Sequence, residues 1–185
     1  LNFTHVVING VSEIDAAGGN DTVSVSRASN TATAIAYNGG SGTDTLVVNL
    51  TLAEAQDAAL LAKLVTLAGT SGNGTLQHGP FNFTSTNFEN LKVQIEVGNT
   101  FVPINPANLL MGNSNHNAPG YAPALEVATL YPTLVNQAWT IAGLGGDDIL
   151  TGGNRDDVLI GGTGRDTMDG GNGSDTYLVG PGEGP

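Results

Sequence analysis

Apolar and polar residues alternate singly along much of this chain, the period of a strand with one buried face. The stretches 75–83 (TLQHGPFNF) and 90–97 (NLKVQIEV) read as strands, and 23–38 (VSVSRASNTATAIAYN) as strand, polar loop, strand. Earlier, HVVINGVSEI at 5–14 sets Asn9-Gly10 between apolar alternations, which predicts a hairpin. One segment changes period. Thr51 and Glu54 form a capping-box pattern, and Leu52, Ala55, Ala59, Leu60, Leu64 and Leu67 follow at helical spacing, so a helix is predicted over 51–67, covering an exposed face or edge of the β structure. From 101 to 120 the chain turns rich in Pro and Asn, which places a boundary there. Short helices are expected in PALEVATLY (123–131) and TLVNQAW (133–139), with Trp139 and Ile141 padding the first coil of the C-terminal segment.

That C-terminal segment is a repeat. Four frames of nine abut without a gap: GLGGDDILT, GGNRDDVLI, GGTGRDTMD and GGNGSDTYL. The sixth place is always Asp (Asp148, Asp157, Asp166, Asp175) and the eighth always apolar (Leu150, Leu159, Met168, Tyr177). Gly at places one, two and four permits a tight turn of six residues, and the last three form a short strand whose apolar residue faces inward. One such unit cannot bury its own apolar face, so the pattern predicts stacked coils, a solenoid.

Composition agrees with a repeat or all-β protein. Of 185 residues, 27 are Gly and only 12% are charged. The balance of 17 acidic against 5 basic residues gives a net charge of −12, which argues against nucleic acid or anionic lipid as a partner. The absence of Cys removes disulfides, thiolate metal sites and thiol nucleophiles. No apolar run is long enough for a transmembrane helix and no signal peptide is visible; the opening in strand alternation reads as a piece of a longer polypeptide.

Acidity concentrated beside glycine in the repeat needs cations. Stacking the turns brings sixth-place carboxylates of neighbouring coils together, and Ca2+, which takes about six to eight oxygen ligands from carboxylates and carbonyls, fits this donor set better than Mg2+.

These frames resemble the RTX (repeats-in-toxin), or haemolysin-type, calcium-binding repeat family, whose nonapeptide is G-G-x-G-x-D-x-U-x. The third and fourth frames match it fully. Leu144 departs at the second place of the first frame and Arg155 at the fourth place of the second. The resemblance implies a parallel β-roll in which turns on one edge lie eighteen residues apart. It implies one Ca2+ between the turns of Asp148 and Asp166, with carbonyls of Gly143, Gly145, Gly162 and Gly164. A second is implied between those of Asp157 and Asp175, with carbonyls of Gly152, Asn154, Gly171 and Gly173.

The same template fits AAGGNDTVS (16–24) and GGSGTDTLV (39–47), whose Asp21 and Asp44 are additional metal candidates or ordinary turn aspartates. A further relic, GTSGNGTLQ (69–77), carries Gly74 at the ligand place.

Catalytic signatures are missing. His5, His78 and His116 are scattered without acidic partners at ligand spacing, Ser41 lies in a repeat frame rather than a nucleophile elbow, and no G-K-[ST] follows the glycines. Asp147 and Asp148 diverge as neighbours and form no acid–base pair. The N-x-[ST] triplets at Asn2, Asn20, Asn49, Asn73 and Asn82 are incidental in so Asn- and Thr-rich a chain. The aromatics Phe81, Phe83, Phe88, Tyr121, Tyr131 and Trp139 are core packing in preference to a sugar platform.

The expected fold is therefore mainly β: a Ca2+-bound parallel β-roll at 143–185, an elaborated β-roll-like part with one helix at 1–100, and a Pro/Asn-rich connection at 101–142. The expected function is that of a calcium-binding, non-enzymatic module of a larger secreted bacterial protein. It would fold when Ca2+ is met outside the cell after type I secretion, at an extracellular or cell-surface location, with no membrane insertion. Two alternatives are a Ca2+-dependent glycan- or surface-binding module and part of a polysaccharide-modifying enzyme.

Overall fold

A computed structural model describes residues 12–26, 34–113, 117 and 124–180. The expected hairpin at Asn9-Gly10, the polar loop within 23–38, and His5, His116, Tyr121 and Asn2 lie outside the described residues. The protein is mainly β with parallel sheets, and it divides into two compact units. One takes Leu1–Thr51 and Ala59–Pro103, the other Leu52–Ala58 and Ile104–Pro185.

In the first unit the alternating segments become β1 (Glu13–Asp15), β2 (Thr22–Val25), β3 (Ile35–Asn38), β4 (Thr45–Leu50), β5 (Gly74–His78), β6 (Phe81–Thr86), β7 (Asn90–Val97) and β8 (Thr100–Ile104). They form two sheets, ordered β1-β3-β6-β5 and β2-β4-β7-β8. The chain deals β1 to β4 alternately to the two sheets, then β5 and β6 to the first and β7 and β8 to the second, and the pairings β1–β3, β3–β6, β2–β4 and β4–β7 are all parallel. Inward residues of both sheets, among them Val23, Tyr37, Leu46, Phe83 and Val93, are buried, and the Tyr37 and Phe83 rings meet edge to face at 5.6 Å.

The helix begins later than the pattern predicts. Residues Glu54–Gln56 form a 3-10 turn, and α1 runs Ala58–Ala68, burying Leu60, Leu61, Leu64 and Leu67. The break falls at Asp57, whose extended backbone (φ −95°, ψ 101°) cannot continue a helix. The 3-10 turn belongs to the second unit. The 69–77 relic is not a stacked coil. Gly72 N–H closes on the Leu67 carbonyl at the end of α1, and β5 then runs antiparallel to β6 across the Gly79-Pro80 turn.

In the second unit β9 (Leu109–Asn113), β10 (Leu125–Glu126), β11 (Thr140–Gly145), β12 (Ile149–Thr151), β13 (Val158–Thr163), β14 (Thr167–Asp169) and β15 (Thr176–Leu178) form sheets ordered β15-β13-β11-β9 and β10-β12-β14. Every pairing there is parallel, and in the repeat Ile141 faces Leu159, Leu159 faces Tyr177 and Leu150 faces Met168, each eighteen residues on. The eighth-place residues Leu150 and Leu159 are fully buried, with Leu110, Leu125, Trp139 and Ile141 around them and Met168 packed against the cluster. Tyr177, on the last rung, is exposed. The 3-10 turn Glu54–Gln56 covers β11 and β13.

The stretch expected as a connection is built differently: β9 and β10 are rungs of these sheets, and a single helical turn, α2 (Val127–Leu130), follows β10. No helix forms at 133–139. There Asn154 N–H bonds the Val135 carbonyl and Trp139 N–H the Asp157 carboxylate, so the two groups that a helical bond would join are given to the next coil.

Candidate metal centre

Each repeat places its six-residue turn directly against the turn one coil later, held by bonds that recur place for place. The sixth-place carboxylate of the later turn accepts from the sixth-place N–H of the earlier: Asp148 N–H to Asp166 Oδ1 at 2.8 Å and Asp157 N–H to Asp175 Oδ1 at 2.9 Å. The seventh-place N–H of the later turn returns to the sixth-place carbonyl of the earlier, Thr167 to Asp148 and Thr176 to Asp157, both at 2.8 Å. A third link goes beyond the sequence reading: the fifth-place side chain of the earlier turn accepts from the fifth-place N–H of the later, Arg165 to Asp147 (3.0 Å) and Ser174 to Asp156 (2.9 Å). Its signal is present in the sequence, since an acid stands at place five in the two frames that have a successor on their edge.

The same geometry reveals the first coil. Asn117 N–H donates to Asp148 Oδ1 (2.6 Å) and Trp139 N–H to Asp157 Oδ1 (2.7 Å), so Asn117 and Trp139 hold sixth places without carboxylates. The ladder has a direction, earlier amide to later carboxylate, and its first rung needs no acid. For that reason this coil reads as a connection in the sequence alone.

Burial follows position in the stack. Asp148 and Asp157 are each 1% exposed, while Asp166 and Asp175, in later turns, are half-buried. Each carboxylate folds back on its own turn: a Cβ added at Gly143 would lie 2.4 Å from Asp148 Oδ2, and one at Gly152 the same distance from Asp157 Oδ2. This is why the first place is Gly. The turns also approach closely backbone to backbone. A Cβ at Gly162 would meet the Leu144 carbonyl oxygen at 2.2 Å, and one at Gly164 that of Gly146 at 2.1 Å. On the other edge Gly171 lies against the Gly153 carbonyl and Gly173 against that of Arg155.

Carbonyls of second and fourth places thus face the next turn. Of the carbonyls expected as ligands, that of Gly143 faces back toward Gly112, and Gly145 lies in strand register with Thr163. Gly162, Gly164, Gly171 and Gly173 abut the backbone of the earlier turn, but the Gly162 carbonyl faces on toward Gly180, away from the Asp148–Asp166 layer; Gly152 and Asn154 lie in the turn of Asp157.

The sixth-place carboxylates are not equally supplied. Asp166 Oδ2 is buried and has no hydrogen-bond partner. Asp157, by contrast, has both oxygens supplied, Oδ1 from Trp139 N–H and Oδ2 from Gly153 N–H at 2.6 Å. Leu144 and Gly146 in the first frame take positive φ (79° and 98°), but Gly153 and Arg155 do not. Arg at the fourth place resists that conformation, and the Gly153 amide turns toward its own Asp157. Burial first of all pushes the Asp157 carboxyl above the usual carboxylate range; the Gly153 and Trp139 amides pull it down, and Asp175 and Asp156 push it up again.

Unit one repeats this arrangement at 16–21 and 39–44. Asp21 N–H donates to Asp44 Oδ1 at 2.7 Å, Thr45 N–H to the Asp21 carbonyl at 2.8 Å and Thr43 N–H to the fifth-place Asn20 Oδ1 at 3.0 Å. Asp44 donates its own N–H to Glu89 Oε2 (2.7 Å), so Glu89 stands where a next sixth-place Asp would. Among the N-x-[ST] asparagines, Asn20, Asn49 and Asn73 all serve structural hydrogen bonds. Phe81, Phe83, Phe88 and Trp139 are buried, as core residues are, whereas Tyr131, expected in the core, is exposed and stacks on Trp139 at 4.9 Å. Among the described residues His78 lies on β5, and no three His, Cys, Asp or Glu side chains gather into a metal-binding group. Any ion here therefore draws most of its ligands from the backbone, as an oxygen-seeking divalent cation does.

Residues 140–180 match the family model of the RTX calcium-binding nonapeptide repeat, in four copies. The frames read from the sequence are therefore RTX repeats, and they mark this stretch as calcium-binding. No curated protein and no solved structure matches the chain. Among the described residues no helix is long and apolar enough to cross a membrane.

Proposed function

We propose that residues 140–180 form a parallel β-roll that closes when Ca2+ is clamped between successive turns, and that this closure supplies cation-dependent folding to a larger secreted protein. The observation that carries the reading is Asp166 Oδ2, a carboxylate oxygen buried in the interturn layer with no donor to neutralise it. A buried, unfed carboxylate oxygen costs free energy that a hard cation removes. One ion would lie between the turns of Asp148 and Asp166 and another between those of Asp157 and Asp175, with turn carbonyls completing each shell. When bound, the ion supplies positive charge where like charges otherwise repel. The chain supplies the amide ladder that fixes coil spacing and the buried Leu150 and Leu159 that reward stacking.

Cation binding and folding then share one equilibrium: the open acidic chain has no preformed site, and the stacked chain has one. Such coupling suits a chain exported unfolded through a type I channel and folded in the calcium of the extracellular space. The test is Ca2+ titration of the chelator-treated chain by circular dichroism and calorimetry, repeated with Asp166→Ala. The wild type should gain β structure with Ca2+, and the variant should need at least about tenfold more cation, a shift of about 1.4 kcal/mol. Equal structure with and without cation would refute the reading.

A further inference from the structure

We infer that unit one holds a divalent-cation site of its own, between the turns 16–21 and 39–44, outside the stretch that matches the repeat family. The correspondence with the C-terminal turns is bond for bond. In both units the earlier sixth-place amide donates to the later Asp Oδ1, at 2.7 Å for Asp21–Asp44 and 2.8 Å for Asp148–Asp166. In both, the fourth-place amide of the earlier turn donates to the third-place carbonyl of the later, Gly19 to Ser41 (2.9 Å) and Gly146 to Thr163 (2.8 Å). Second and fourth places take positive φ in both turns, Ala17 (71°) and Gly19 (120°), Gly40 (94°) and Gly42 (145°), as Leu144 and Gly146 do. Ala17 is the more telling, because a side chain there gains nothing from that conformation. The carbonyl oxygens of Ala17 and Gly19 face the later turn so closely that a Cβ at Gly40 or Gly42 would lie 1.9 or 1.8 Å from them.

A second observation points to a ligand. Asp44 is fully buried, at 0% exposure, and its Oδ2 has no hydrogen-bond partner; Asp21 Oδ2 is likewise buried and unpartnered. Two carboxylates in adjacent turns thus each present an oxygen that no donor feeds, beside carbonyls of the same turns. Native proteins leave few such atoms, and buried, unfed carboxylate oxygens beside turn carbonyls are the donor set of a hard cation. The insertion that lengthens this coil to 23 residues lies outside the turns, so it leaves the layer intact. Beyond Asp44 the series stops: the next rung offers Glu89, which is exposed, in a turn without glycine. The structure thus assigns a cation to the Asp21–Asp44 layer and none to the next.

This inference takes from the proposed function only the identity of the ion. It is tested by counting Ca2+ bound to the full chain in equilibrium dialysis, for the wild type and for Asp21→Asn, Asp44→Asn and Asp166→Asn. Asp21→Asn should bind one ion fewer than the wild type while retaining the C-terminal ions, and Asp166→Asn should lose an ion elsewhere. A folded Asp21→Asn chain with the full count overturns the site. Loss in Asp166→Asn alone would leave the proposed function standing and this inference fallen; loss in Asp21→Asn alone would do the reverse. Asp44 bears the ladder bond, so its variant risks unfolding for that reason, and wild-type crystals grown in Ca2+ give the second measurement. Anomalous density between the Asp21 and Asp44 carboxylates is expected, and density at Asp148 and Asp166 without any there contradicts the inference.

Discussion

Asp157 shows what a sixth-place acid does before any ion is considered. It is 1% exposed, and two amides hold its two oxygens. Burial nevertheless outweighs them and raises its proton affinity. A folded-state value above that of the unfolded chain means that the protonated form favours folding. That contribution is fully present in acid, below the unfolded value, and is lost as pH rises through the folded one. Acid should therefore favour the closed state of the cation-free chain. Circular dichroism in chelator at about pH 7 and about pH 4 measures it, and no gain of β structure at the lower pH contradicts the assignment. On the proposed reading Ca2+ reverses the sign, because the ion would bind the ionised form.

At the scale of the element, the unit of construction is the stacked pair of turns rather than the strand. Strands of three residues, such as β12 and β14, have little pairing to hold them alone. The turn layer adds bonds at fixed places, including the fifth, where Asp147, Asp156 and Asn20 do the same work. Asn20 is neutral, so the fifth-place role is hydrogen-bond acceptance and not charge. Asp147→Asn should accordingly retain the stability of the Ca2+-saturated chain, and Asp147→Ala should lose about 1 kcal/mol in denaturant unfolding; equal losses in both would make the role electrostatic.

The regular turns are legible in the sequence because Gly and Asp recur there by steric and chemical need. The turns at Asn117 and Trp139 are concealed, since only a backbone amide and carbonyl are required there and any residue serves. The helix over 51–67 is legible in its apolar stripe and not in its start, since Glu54 is buried in a 3-10 turn covering β11 and β13 instead of capping α1.

In the whole molecule, two units repeat one device with different regularity. Unit two keeps an eighteen-residue step through its repeats, whereas unit one interposes α1 and the β5–β6 hairpin between its second and third turns. Regularity matters for switching. On the proposed reading each edge of 140–180 holds one ion, so loss of either leaves its pair of carboxylate turns to repulsion, and opening should take in the whole stretch.

Amide hydrogen exchange of the full chain, in Ca2+ and then in chelator, tests this most directly. The amides of β12 to β15, together with the ladder amides of Asp148 and Asp157, should be protected in Ca2+, exchange at unfolded rates in chelator and recover when Ca2+ returns. Undiminished protection of those amides in chelator would show that the coils stack without the ion and would contradict the account.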